Sequence, residues 1–165
     1  MQKKLIRLDL GAGYSRKPGY LRVDLDPDCK PDYLLPADNL TKVRSESVDE
    51  VYSAHLLEHF AQDKTFIVLR EWYRVLKPGG KLLLKVPDCG AAALAFVEKK
   101  ISGDDYQRII LGRDPAANPF MQHKNMFWAG KLERFLFVTG YVKVFNQTKK
   151  DGRYELFYIA ERPVD

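Results

Sequence analysis

Two groups of residues in this chain have the types and spacing to do chemistry. The first is Leu8-Asp9-Leu10-Gly11-Ala12-Gly13, followed by Val23-Asp24. Glycine at such a turn allows unusual backbone angles and lets a ligand approach the main chain. Asp24 follows about eleven residues later, at the end of the next apolar run, where a carboxylate can accept from both hydroxyls of a ribose. The second group is His55-Leu56-Leu57-Glu58-His59, with His123 far downstream. An unperturbed imidazole titrates near neutral pH, so His55 or His123 can take a proton from a hydroxyl nucleophile. His55 and His59 also read as H-x-x-E-H. On a helix that pattern puts two imidazoles on one face for a metal, with Glu58 as base and Glu71 as a third ligand.

These residues need elements to hold them. Leu5–Asp9, Tyr20–Asp24, Tyr33–Leu35, Val48–Ser53 and Lys81–Val86 read as strands, alternating with loops or helices, which implies an α/β domain with a largely parallel sheet. A helix is predicted from Gln62 to Leu76, with Phe66, Leu69, Tyr73 and Leu76 as its apolar stripe and Lys77-Pro78-Gly79-Gly80 as its stop. Further helices are predicted over Gly90–Lys100 and Lys131–Val138. Tyr141–Phe145 and Tyr154–Ala160, joined by a polar turn with Asp151-Gly152, form a closing antiparallel pair. Ser102–Ala129 is broken by Asp114-Pro115 and Asn118-Pro119 and reads as irregular. All 165 residues fit one domain.

The glycine turn disfavours a dinucleotide-binding oxidoreductase. Its third small residue would fall at Arg16, and Lys17-Pro18-Gly19 makes the following segment a loop, so no helix N-terminus is offered to a pyrophosphate.

Taken in order, the pieces resemble class I methyltransferases that use S-adenosylmethionine. They are Leu8–Gly13, Val23-Asp24-Leu25-Asp26, Ala37-Asp38-Asn39-Leu40, Ser47–Ser53 with His55–His59, and Arg74-Val75-Leu76-Lys77-Pro78-Gly79-Gly80-Lys81. The resemblance runs from Leu5 to about Asp88 and more loosely to the end. It is nearest to short bacterial enzymes with a Pro-Gly-aromatic turn, here Pro18-Gly19-Tyr20, and a late His-Lys before a phenylalanine, here His123-Lys124 and Phe127. Those enzymes are often linked with surface-glycan biosynthesis.

The resemblance implies a Rossmann-like, mostly parallel seven-stranded sheet with a C-terminal antiparallel hairpin, and S-adenosylmethionine as cofactor. It assigns Asp9, Gly11 and Gly13 to the cofactor's methionine part and ribose, Asp24 to the ribose hydroxyls, and Leu25 to the adenine face. Asp38, with the backbone of Asn39 or Leu40, would meet the adenine edge, and Ser53 and His55 would lie near the transferring methyl. The Pro-Pro-aromatic motif of enzymes acting on adenine, cytosine or glutamine amino groups is replaced by Ser53-Ala54-His55-Leu56. The expected acceptor is therefore an oxygen of a small molecule or glycan, with His55 or His123 assisting proton removal. A non-catalytic binding module and an RNA methyltransferase are the alternatives.

This chain departs from the family where a full helix usually joins strands one and two. Only about ten residues connect them, at or below the usual minimum for a parallel crossover. One sheet face is then thinly covered, and Ser102–Ala129 is expected to fold over it in preference to a second subunit. The H-x-x-E-H match sits inside methyltransferase-like flanks, so no metal is expected.

The remaining features are bland. A net charge of +5 is spread over small clusters at Lys3-Lys4, Lys42–Arg44, Lys99-Lys100 and Lys149–Arg153, which read as solvated faces. Phe120, Phe127, Trp128, Phe135 and Phe137 read mainly as core. Cys29 and Cys89 lack metal spacing and are expected reduced. No apolar run approaches the roughly 20 residues of a membrane span. The N-terminus has no signal-peptide pattern. A cytoplasmic monomer or homodimer is expected.

Overall fold

The computed structural model describes residues 5–113, 119–149 and 151–164. Seven strands form one sheet: β1 (Arg7–Leu10), β2 (Leu21–Asp24), β3 (Tyr33–Leu34), β4 (Val48–Ala54), β5 (Leu76–Pro87), β6 (Val142–Asn146) and β7 (Glu155–Glu161). Their order is β3-β2-β1-β4-β5-β7-β6, with β3 to β5 parallel and β7 antiparallel to both β5 and β6. The order reverses at β1, so the carboxyl ends of β1 and β4 open a crevice where ligands of such sheets bind. Among the described residues four α-helices accompany the strands: α1 (Thr65–Val75), α2 (Cys89–Val97), α3 (Gly103–Leu111) and α4 (Ala129–Thr139).

The period-two alternation of the strands decides which face is core. Leu8, Leu10, Val51, Leu82, Leu84, Val86, Leu156, Tyr158 and Ala160 are buried. They share their cluster with Val68, Leu69, Trp72 and Val75 of α1 and Leu132 and Leu136 of α4. Each buried valine or leucine among them stabilises the fold by about 1.5–3 kcal/mol relative to exposure. Trp72 anchors α1 further, its indole N–H donating to the Ala37 carbonyl at 2.8 Å.

The stripe on α1 differs from the one expected. Thr65, Val68, Leu69, Trp72 and Val75 face the core, whereas Phe66 is 39% exposed. The two candidate stripes share Leu69. The one through Trp72 wins because it buries the larger ring and gives its N–H a partner. Lys77–Gly80 also does not end the ladder ahead of β5. The chain passes through it within the strand, with a register shift against β4 between Val48 and Glu50.

The opposite face confirms the thin cover and corrects what lies there. Arg7, Glu50, Tyr52, Leu83, Lys85, Glu155, Phe157 and Ile159 remain partly exposed on it. The loop after Gly13 supplies local cover: the Lys17 ammonium lies 4.0 Å from the Tyr52 ring centroid, and Tyr20 meets Tyr52 edge-on. The described part of Ser102–Ala129 runs instead along the carboxyl end of the sheet. There Lys124 and Asn125 N–H donate to the Glu58 carbonyl, and Cys89 N–H donates to Phe127. α3 lies within the stretch read as irregular. Its N-cap is Ser102, and it carries no buried residue. Asp114-Pro115 and Asn118 lie outside the described residues.

Candidate functional site

At the end of β1 the chain turns sharply. Gly11 N–H donates to the Val23 carbonyl at 2.9 Å and Gly13 N–H to Asp24 Oδ2 at 2.7 Å, which ties the glycine turn to the end of β2. Gly11 sits at φ +65°, and a Cβ there would lie 2.8 Å from the Leu56 side chain. The turn and the segment after β4 are therefore in contact, as a shared site requires. Asp24 Oδ1 accepts from Asp26 N–H at 2.9 Å, so both carboxylate oxygens of the expected ribose ligand are aimed by backbone. Leu25 follows, 56% exposed and free to lie against a flat ring.

Asp9 lies behind this turn, 3% exposed. Burial lifts its pKa from an ordinary 3.8 to about 6, against the opposing pull of Lys17 and Arg22. Arg22 itself is buried, donating to the Cys29 and Lys30 carbonyls and so shaping the turn between β2 and β3.

The Ala37–Leu40 segment is positioned from below by α1. Glu71 Oε1 accepts from Leu40 N–H at 2.7 Å, and Arg74 holds Glu71 while donating to the Leu40 and Val43 carbonyls. Arg74 keeps the Glu71 carboxyl below its usual range, the hydrogen bond between them being the largest cause. Asp38 and Asn39 are exposed and available. Asn39 N–H donates to Pro36 and Leu40 N–H to Glu71, so the backbone meeting expected there between this segment and an adenine ring would not run through these two N–H groups. The same contacts remove Glu71 from any metal set with His55.

After β4 the structure departs from the expected helix. His55 takes φ +54°, and a short 3-10 turn, Leu57–His59, follows. His55 and His59 thus do not share a helical face. His55 Nε2 lies 3.1 Å from Glu155 and its Nδ1 3.4 Å from Glu58 Oε1, with half the side chain exposed. These carboxylates raise its pKa, Glu58 most, against the opposing effect of burial. Glu155 also holds Lys85 at 2.8 Å. Ser53, expected near the methyl, is instead fully buried on the core face, opposite Leu10 and Leu84 in register, and its Oγ has no partner among the described residues.

His123 is brought to the same place from the late segment. Its Nδ1 lies 3.0 Å from the Ile109 carbonyl, and its Nε2 faces Glu58 Oε1 at 3.9 Å. Burial lowers its pKa. Only 12% of the side chain is exposed, so it stands behind His55 and not at the mouth. The structure therefore gathers all three histidines around Glu58, which the sequence marked only as a base for a rival chemistry. Glu155 was missed, and no local signal marks it, since it stands 100 residues from His55.

Among the other candidates, Asp88 is the N-cap of α2, accepting from Ala91 N–H at 3.0 Å. Phe127 is core, and Phe135 packs against the core. Phe120, Trp128 and Phe137 are exposed, which corrects their reading as core. Cys29 and Cys89 are unpaired thiols. Two concavities lie elsewhere, one of about 460 Å³ beside α3 and one of about 320 Å³ at the amino ends of β1, β4 and β5. Neither is lined by a residue of the expected cofactor set.

The strand order and a glycine turn facing an acidic strand end define a class I methyltransferase fold. Residues 8–84, just under half of the chain, are similar to the family described as methyltransferase domain. No curated protein matches in sequence. Similar solved structures include a possible exported protein from Bordetella parapertussis, with TM-score 0.67, 18% identity, and 98% of this chain against 64% of that one. A SAM-dependent methyltransferase from Archaeoglobus fulgidus has TM-score 0.65 and 15% identity over 96% and 87% of the two chains. The 1,6-didemethyltoxoflavin-N1-methyltransferase of Burkholderia thailandensis, solved with S-adenosylhomocysteine, has TM-score 0.64 and 18% identity over 98% and 72%. The chain spans 64% and 50% of the lengths of the first two such structures. Among the described residues no helix is long and apolar enough to cross a membrane.

Proposed function

We propose that the protein binds S-adenosylmethionine in the crevice at the ends of β1, β2 and β4 and transfers its methyl group to an oxygen of a small molecule or glycan. The observation that carries this reading is the contact of Gly11 with Leu56, beside an Asp24 whose two oxygens are aimed by backbone N–H groups. That contact sets a cofactor turn against the segment where an acceptor would sit. Gly11, Gly13, Asp24, Leu25 and Asp38 would hold the nucleoside, and Asp9 would face the cationic methionine part.

The sulfonium already carries a good leaving group, so the enzyme's main task is to hold the acceptor in line with the methyl. Partly exposed and flanked by Glu58 and Glu155, His55 is the residue we assign to proton removal. His123 then acts as a positioning residue behind Glu58. The two free thiols suit a cytoplasmic setting, and the chain would act as a single catalytic domain.

Calorimetric titration with S-adenosylmethionine and S-adenosylhomocysteine tests the first claim, with Asp24→Ala alongside. Micromolar binding by the wild type that is lost in the variant is expected, and no binding by either protein would reduce the reading to a shared fold. The second claim is tested by single-turnover methyl transfer in His55→Gln, His123→Gln and the double variant. The rate is expected to fall while cofactor affinity holds; an unchanged rate in the double variant would remove the histidines from the chemistry.

A further inference from the structure

Glu58 is 1% exposed, and neither carboxylate oxygen has a hydrogen-bond partner among the described residues. Leaving a buried acceptor unmatched costs about 1–3 kcal/mol, more for a charged group, so its surroundings bear on what it holds. Its near nitrogens are His55 Nδ1 at 3.4 Å and His123 Nε2 at 3.9 Å, and the His59 ring meets His123 edge-on at 5.0 Å between centroids.

The tautomers of His59 and His123 follow from their other nitrogens. His59 Nδ1 lies 3.0 Å from the Gln122 carbonyl and His123 Nδ1 3.0 Å from the Ile109 carbonyl. A carbonyl only accepts, so each Nδ1 carries the proton and each Nε2 presents a lone pair. A carboxylate oxygen and one nitrogen from each imidazole lie within 4.8 Å of one another. The His123 Nε2 lone pair thus meets the Glu58 carboxylate, with one nitrogen of His59 within the same compass, an arrangement that a cation satisfies. The backbone–imidazole bonds are the outer-shell pattern that fixes ligating histidines.

We propose that Glu58, His59 and His123 form a site for one divalent transition-metal cation of the zinc type. Two imidazoles and one carboxylate are the donor set of three-ligand zinc sites, which leave a further position open. The cation draws its ligands inward by roughly an ångström, to about 2.0–2.2 Å.

The scaffold is preassembled. Lys124 and Asn125 N–H donate to the Glu58 carbonyl, and His123 N–H donates to Leu111. Gly112 permits that last approach: it bridges Gln122, and a Cβ on it would lie 2.2 Å from the Met121 carbonyl oxygen. The site does not depend on the proposed methyl transfer, though His55 at its edge would connect the two.

The test uses the full chain, stripped with chelator and titrated with Zn²⁺ by calorimetry and with Co²⁺ by visible absorption. One equivalent with micromolar or tighter affinity is expected, with cobalt bands of low coordination number and a metal-dependent rise in melting temperature. His59→Gln and His123→Gln should each weaken Zn²⁺ binding by about 100-fold or more. Glu58→Gln, which removes the buried charge and so guards against misfolding effects, should do the same with its melting temperature held or raised. No saturable binding below about 100 μM in the wild type, or unchanged binding in folded His59→Gln, would overturn the proposal. Cofactor titration of the same metal-free protein separates this outcome from failure of the methyltransferase reading.

Discussion

Substituting Asp9 by Asn should stabilise the protein while weakening cofactor binding, and the stabilisation should depend on pH. The Asp9 carboxyl is 3% exposed, and its pKa rises from 3.8 to about 6, chiefly through burial. A carboxylate with a raised folded pKa binds its proton more tightly in the folded than in the unfolded state. Its ionisation therefore opposes folding fully above pH 6, partly between 6 and 3.8, and not at all once both states are protonated. The gap corresponds to about 3 kcal/mol. Discounted for solvent screening across the thin loop after Gly13, that is about 2 kcal/mol, or ~4–8 °C in melting temperature for a domain of this size. Urea denaturation of wild type and Asp9→Asn at pH 8 and pH 4 measures it, with the gain shrinking to about 0.5 kcal/mol at the lower pH. An equal gain at both values, or none at pH 8, would refute the argument. S-adenosylmethionine, cationic at its sulfonium and ammonium, should draw the Asp9 pKa down. At pH 6 wild-type binding should then release a proton, visible as a heat that varies with buffer ionisation enthalpy, and Asp9→Asn should lose that dependence.

Three further outcomes follow from geometry. Gly11→Ala places a Cβ 2.8 Å from Leu56 at φ +65°; it should cost about 1–2 kcal/mol in urea denaturation and abolish cofactor binding. Glu71→Gln weakens the hold of Arg74 on the Leu40 loop. Because the folded Glu71 pKa is lowered, its stabilisation is present above pH 4.5 and lost as the pH falls through the folded value. The variant's deficit at pH 7 should therefore fade in acid. Trp72→Ala should cost about 3–5 kcal/mol, whereas Phe66→Ala, on the exposed side of α1, should stay within about 0.5 kcal/mol; equal losses would restore the stripe through Phe66.

Sheet and cofactor turn were legible because each rests on local chemistry. Strand apolarity, glycines that stop β1, and the acid at the end of β2 are written in consecutive residues. The α1 stripe was ambiguous because Phe66-Ile67-Val68-Leu69 offers apolar residues to more than one face, and only the sheet decides between them. Ser53 was misassigned for a related reason. Strand alternation alone would put Ser53 and His55 on one face, and only the register with Leu10 and Leu84 shows Ser53 on the core side, while the left-handed backbone at His55 breaks the pattern. The Glu58 cluster and Glu155 were out of reach, because His123 and Glu155 arrive through chain reversals that no local pattern encodes. The H-x-x-E-H spacing could not give the arrangement either, since the segment forms a 3-10 turn after a left-handed His55 and presents its histidines differently from an α-helix.

The missing helix between β1 and β2 ties these observations together. A helix there would cover the sheet and place the positive end of its dipole by the cofactor turn. Here the loop performs the covering with side chains: Lys17 lies over Tyr52 and Tyr20, and Tyr20 donates to Glu50. It also supplies the positive charge, because Lys17 and Arg22 are the two cations that temper the Asp9 carboxyl. A loop held by one lysine over aromatic rings is a weaker cover than a packed helix, since such contacts are worth about 0.5–1 kcal/mol where exposed. Lys17→Ala should accordingly leave the core intact while raising the Asp9 pKa further and loosening the cofactor turn. Its effect should appear in the pH dependence of S-adenosylmethionine binding before it appears in melting temperature. A variant with lower melting temperature and unaltered binding would show instead that the lysine serves only as cover.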